Sequence, residues 1–200
     1  MSTKQSKLRI TQTLLSSWLG SFKYDSGYDD FLKTLNREPK QPTTAMLDGV
    51  RFESCVNNVL DGATIDETHE WYKVVVELAD YLRGSQKQVN LFREIEVDGQ
   101  RILLHGVLDF LRAGVIFDTK FSKNYYLNKY LSSPQCPLYM ALVPEARRFE
   151  YISCDGKYIY KEVYPREIVP SIEPTIRQFL NYLDKHNLYE IFETKWSVAN

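Results

Sequence analysis

The sequence predicts an α+β (α/β) domain in which a central mixed β-sheet, built on an antiparallel meander, is flanked by helices. Three observations carry this. Apolar runs at 88–97, at 101–111 and at 115–121 follow one another across Asp98-Gly99 and Ala113-Gly114, two short turn signals. Segments with apolar residues at helical spacing lie on both sides of that meander, at 47–60 and 66–83 before it and at 170–196 after it. A chain of 200 residues with 44% hydrophobic and 14% aromatic content suits one packed domain, 1–200, with its core at about 45–165.

Each element has a local reason. Thr11 can cap a short amphipathic helix at 10–20 that places Leu14, Leu15, Trp18 and Leu19 on one side. Residues 20–44 hold Gly, Asp, Ser and Pro clusters and read as a loop-rich connector with a helical turn or two at 28–35. Val50, Cys55, Val56, Val59 and Leu60 supply the apolar positions of a helix at 47–60, and Trp71, Val74, Val75, Leu78 and Leu82 those of a helix at 66–83. Strands at 88–97 and 101–105 flank Asp98-Gly99, and the second runs on into Gly106–Leu111. Ser132-Ser133-Pro134 announces a helix, with serine capping and proline in the first position. A further hairpin is predicted around Asp155-Gly156, its first strand joining the sheet beside 115–121. A C-terminal helical segment at 170–196 breaks near Asn187.

The chemistry concentrates between His105 and Tyr139. If Ala113-Gly114 is a two-residue loop, Arg112 pairs with Val115 and Asp109 comes opposite Asp118, with Cβ atoms about 5 Å apart. The two-residue period of a strand then puts Lys120 on the face of Asp118. Opposed carboxylates repel, and one lysine compensates only part of the charge, so the arrangement asks for a cation. Hard divalent ions accept one or two carboxylates together with waters and phosphate oxygens. An isolated Asp-x-Lys is more often a surface ion pair; His105, four residues before Asp109, reads as a strand polar residue.

Gly106-x-x-Asp109, Asp118-Thr119-Lys120 and Gln135-x-x-x-Tyr139, in this order, resemble the PD-(D/E)XK nuclease superfamily. The Gln-x-x-x-Tyr element is similar to that of its RecB-like and lambda-exonuclease-like branch. The resemblance spans roughly 10–151 and implies a restriction-endonuclease-like core. It implies that Asp109, Asp118, the Thr119 backbone carbonyl and Glu53, the last in Gly49-x-x-x-Glu53, hold Mg²⁺ or Mn²⁺. Glu53, Asp109, Asp118 and Lys120 would be the catalytic set, and Gln135, Tyr139 and Lys123 would meet DNA phosphate or metal-bound water. The expected activity is that of a DNA exonuclease leaving 5′-phosphate ends, in repair, recombination or phage genome processing in the cytoplasm of a bacterial or phage-infected cell. DNA is the expected partner, alongside a homo-oligomer or a recombination partner protein. An inactive nuclease-fold DNA-binding or adaptor module is the alternative, and a hydrolase of small phosphoesters comes third.

Composition narrows the field further. A net charge of −1 excludes a globally basic nucleic-acid binder but not a basic groove. The charge is uneven: residues 101–130 carry five Lys/Arg against two Asp/Glu, whereas 45–80 carry two against eight. Three cysteines without C-x-x-C spacing suggest neither a disulfide framework nor zinc, and are too few for the four-cysteine iron-sulfur cluster of some relatives. No apolar run approaches the roughly 20 residues that cross a membrane, so no membrane partner is expected.

Overall fold

The frame of the molecule is a long hairpin whose register is fixed by its turn. In the computed structural model, which describes residues 7–198, β2 (Gln86–Val97) and β3 (Gln100–Arg112) pair antiparallel from Gln86↔Leu111 to Val97↔Gln100. Asp98 and Gly99 both take positive φ, 51° and 79°, the twist that joins strands through two residues. Ala113 and Gly114 do the same at 47° and 74°, leading into β4 (Val115–Phe121) with Arg112 opposite Val115 as the count predicts. The 101–105 and 106–111 runs are one continuous strand.

The rest of the sheet grows from this hairpin. β4 pairs parallel with β5 (Arg148–Cys154), and β5 pairs antiparallel with β6 (Ile159–Pro165), so the sheet is mixed. On the other side β1 (Lys7–Thr11) runs parallel to β3, from Leu8↔Ile102 to Thr11↔His105, and carries β7 (Ser197–Val198) on its far edge. The described residues thus hold seven strands in one sheet, with seven helices around it.

β2 occupies one edge of β3 from Gln100 to Leu111, apart from one missing rung at Asp109, so β1 and β4 share the other. β1 covers Ile102–His105 and β4 covers Phe110–Arg112. The stretch Gly106–Asp109 between them has no strand partner on that edge. Here α5 (Gln135–Leu142) fills the gap: the Tyr139 hydroxyl donates to the Val107 carbonyl at 2.9 Å, satisfying a backbone acceptor that no strand reaches.

Gly106 makes this approach possible. A Cβ there would lie 2.8 Å from both Tyr139 Cε1 and Leu142 Cδ1. Gly106→Ala should therefore overpack the contact and destabilise the protein by about 1–3 kcal/mol. Thermal denaturation would register a drop of about 2–4 °C per kcal/mol, and an unchanged midpoint would refute the steric argument.

Buried side chains form two clusters. Leu14, Trp18, Phe31, Leu138, Phe179 and Phe192 belong to one, drawn from α1 (Gln12–Gly20), α2 (Gly27–Leu35), α5, α6 (Glu173–Lys185) and α7 (Tyr189–Trp196). Phe52, Val56, Val75 and Leu78 belong to the other, from α3 (Thr44–Leu60) and α4 (Tyr72–Leu82). Ile116 lies in the first and Phe117 in the second, as the alternating faces of a strand require.

Several boundaries differ from the sequence reading. β1 was not anticipated, because Leu8 and Ile10 alone are too short an alternation to signal a strand. The supposed connector contains a nine-residue helix, α2, whose Phe31 and Leu35 are buried. The helix predicted at 66–83 starts only at Tyr72, since Asp66 accepts the Thr68 amide at 2.8 Å and holds the preceding residues in a turn. Pro134 precedes the first residue of α5 instead of occupying it, and Ser133 Oγ accepts the Gln135 amide at 3.2 Å. Thr11 does cap α1, accepting the Leu14 amide at 3.2 Å, and the C-terminal helix does break, with Asn187 at φ 55°. Among the described residues no helix is long and apolar enough to cross a membrane.

Candidate active site

The site lies at a fork. β3 and β4 pair from Arg112↔Val115 to Phe110↔Phe117 and no further. The next rung would have been Asp109 with Asp118, so the register of the sequence count holds while the rung itself is absent. Asp109 takes over the hydrogen bonding there: its Oδ2 accepts from the Thr119 amide at 2.9 Å and from Thr119 Oγ1 at 3.2 Å. A side chain thereby satisfies the donor released where the strands part.

Asp118 is fully buried. Its Oδ1 accepts from Gln135 Nε2 at 2.5 Å, and its Oδ2 faces Lys120 Nζ at 2.7 Å but outside hydrogen-bonding geometry. Gln135 is itself buried and comes from the first turn of α5, the helix whose Tyr139 holds Val107. The sequence placed Gln135 and Tyr139 on one helical face; the fold points that face at the fork, with Gln135 on a carboxylate and Tyr139 on backbone. Lys123 lies apart, exposed, with Nζ 3.1 Å from Asp48 Oδ2 on α3.

Glu53 reaches the same place from α3. Burial and then the nearby Asp109 carboxylate raise its pKa, while Lys120 and a hydrogen bond from Gln88 Nε2 at 2.7 Å oppose the rise. Burial raises Asp109 too, against the pull of Lys120 and Thr119. Burial above all pushes Asp118 up to about 7; Lys120 resists this, and Asp109 and Glu53 add to it. Burial lowers the Lys120 pKa, but Asp118 and Asp109 more than reverse that, so the ammonium stays charged. Three carboxylates against one ammonium leave a formal −2 when all are ionised.

This donor set fits a hard cation that keeps much of its own solvent. Among the described residues no group of three or more His, Cys, Asp or Glu side chains is arranged to hold a metal ion. Magnesium seldom asks for such a group, taking one or two carboxylates and completing its shell with water and phosphate oxygens. Asp118 Oδ2, buried and in charge contact with Lys120 Nζ at 2.7 Å, is the carboxylate oxygen of this residue not taken up by Gln135.

Other sequence candidates fall elsewhere. His105 Nε2 lies 2.9 Å from Asn90 Oδ1, and its ring stacks on Phe92 at 4.3 Å, so it is engaged on the strand surface. Cys55, Cys136 and Cys154 are unpaired thiols. A Cβ at Gly49 would meet nothing within 4 Å, so packing does not explain the glycine of Gly49-x-x-x-Glu53. Two features escaped the sequence. One is Gln88, marked by nothing local. The other is a recess of about 220 Å³ between α1 and the segment entering α5, where Ser16, Lys23, Lys129, Tyr130, Ser132 and Ser133 meet.

Neither a protein-family model nor a curated protein matches the sequence. Solved structures do share its fold. The crystal structure of SSO0001 matches with a TM-score of 0.56 at 17% identity, over 93% of this chain and 80% of that one. LHK-Exo, an exonuclease crystallised in complex with dAMP, matches with a TM-score of 0.53 at 14% identity, over 90% of each chain. The fold class is therefore a mixed α/β sheet flanked by helices of the kind found in an exonuclease.

Proposed function

We propose that this chain is a metal-dependent DNA nuclease, and specifically an exonuclease that leaves 5′-phosphate ends. The observation that carries the reading is the undercompensated cluster at the β3–β4 fork, in which Asp118 is fully buried and Asp109, Glu53 and Lys120 are partly buried. Asp109, Asp118 and the Thr119 carbonyl, with Glu53 beside them, are the groups that would hold Mg²⁺ or Mn²⁺. The bound ion would polarise the scissile phosphate and lower the pKa of a water.

The chain's own residues divide the remaining work. Gln135 fixes one oxygen of Asp118 and so orients the other. Lys120 retains its proton, which suits it to orient the attacking water and to offset charge growing on the phosphate, and unsuits it to act as a base. Thr119 holds Asp109 in place through two hydrogen bonds. Tyr139 supports the unpaired stretch of β3 from behind. Lys123, exposed beside α3, and the recess containing Lys23 and Lys129 supply cations for a DNA backbone. The exonuclease fold neighbour supports nucleic acid as substrate, and repair, recombination or phage genome processing are the settings that such an activity fits.

The test uses end-labelled linear and closed circular DNA, single- and double-stranded, with Mg²⁺, Mn²⁺ or EDTA, beside Lys120→Ala. Cleavage of linear DNA alone, abolished by EDTA and in the variant, is the expected result. Binding without cleavage in every condition would instead make the chain a DNA-binding module on a nuclease fold.

A further inference from the structure

We infer that Gln88 is the positioning residue for Glu53, holding that carboxylate in the acidic cluster in an orientation open to a divalent cation. The inference deepens the metal-dependent reading above and rests on it.

β2 and β3 pair at every position from Gln86 to Val97 with one exception. Lys87↔Phe110 and Val89↔Leu108 place Gln88 opposite Asp109, and that rung is missing. At this point Gln88 adopts φ 50°, a left-handed conformation that L side chains other than Asn and Asp rarely take. The other described non-glycine residues with positive φ, namely Arg37, Asp98, Ala113, Asn128 and Asn187, lie in turns; Gln88 alone lies inside a strand. Strain of this sort, kept within an otherwise regular ladder, gathers where geometry serves a site.

The distortion has a visible consequence. Gln88 Nε2 donates to Glu53 Oε1 at 2.7 Å across to α3. A second link, Lys87 Nζ to Asp61 Oδ1 at 2.5 Å, ties the far end of the same helix to β2. The two links differ in what they hold: Lys87 holds the helix, whereas Gln88 holds a carboxylate that interacts electrostatically with Asp109 and Lys120. A neutral amide is the fitting donor, because it fixes one carboxylate oxygen without adding a positive charge that would compete with a cation.

Isothermal titration with Mn²⁺ on the full chain, paired with thermal denaturation in EDTA, separates the two roles. Gln88→Gly removes the amide but accommodates φ 50°, so its melting temperature should hold or rise while Mn²⁺ binds about tenfold or more weakly, the usual effect of losing a residue that orients a ligand. Gln88→Asn, which also tolerates this φ but carries a shorter amide, should weaken binding in the same direction. Lys87→Ala should lower the melting temperature and leave the affinity unchanged. Wild-type Mn²⁺ affinity in both Gln88 variants overturns the positioning role while leaving the metal site intact. Absence of Mn²⁺ binding in the unmutated protein overturns both readings at once.

Discussion

Asp118→Asn should abolish metal-dependent DNA cleavage and at the same time leave the protein as stable as before or more so. On the proposed mechanism Asp118 would be a principal cation ligand, and its removal would forfeit several kcal/mol of transition-state stabilisation, at about 1.4 kcal/mol per decade a loss in rate of about a thousandfold or more. Stability moves the other way because Asp118 is fully buried among like charges. Truncating one partner of a buried ion pair usually strands the other, but here Lys120 still has Asp109, which also raises its pKa. The cluster goes from a formal −2 towards −1, and asparagine can still accept from Gln135. At pH 8 in EDTA we expect a gain of about 1 kcal/mol, or about 2–4 °C in melting temperature. Cleavage at the wild-type rate would remove Asp118 from the mechanism. A fall of several degrees would mean that its charge is needed for folding.

Without metal, the protein should lose stability as pH rises from about 4 to about 7. Burial holds the Asp118 pKa at about 7 in the folded chain, against the ordinary aspartate value of 3.8. Between these values the native state keeps a proton that the unfolded chain has released, so the unfolding free energy falls with rising pH and levels off above about 7. From pH 5 to 7.5 the decline from this group is on the order of 2–3 kcal/mol. Asp109 and Glu53, both raised by burial, act in the same direction. Asp98, held low by its hydrogen bond and charge pairing with Arg177, loses its contribution as pH falls through the acid range below about 4, so its window is separate. Denaturant titrations in EDTA across this range should show the slope for the wild type and a flatter profile for Asp118→Asn. Saturating Mn²⁺ should reverse the trend, because the cation prefers the ionised carboxylates. Equal slopes in the two proteins would place the titrating group elsewhere.

Both results turn on residues that sequence reasoning reached through turn chemistry. Asp98-Gly99 and Ala113-Gly114 dictate two-residue turns, and a two-residue turn leaves one register, which sets Asp109 and Asp118 on neighbouring strands with Lys120 two residues on. The Thr11 cap, the helical spacing of α3 and α4, the break at Asn187 and the Gln135–Tyr139 face were legible for the same reason. They depend on residues within a turn or two of one another.

The tertiary structure decided what joins across long separations. That β1 would cover Ile102–His105 and stop, leaving Gly106–Asp109 for Tyr139 to reach, follows from which surfaces bury one another. The same holds for Gln135 closing on Asp118 and for Gln88 giving up its rung to reach Glu53. Local composition encodes turns, caps and periodicity, because backbone preference and amphipathic spacing act over a few residues. The meeting of two helices, a distorted strand and a parting pair of strands is set by burial and by the need to satisfy the polar groups left where the ladder ends, and neither is written in any single stretch of the chain.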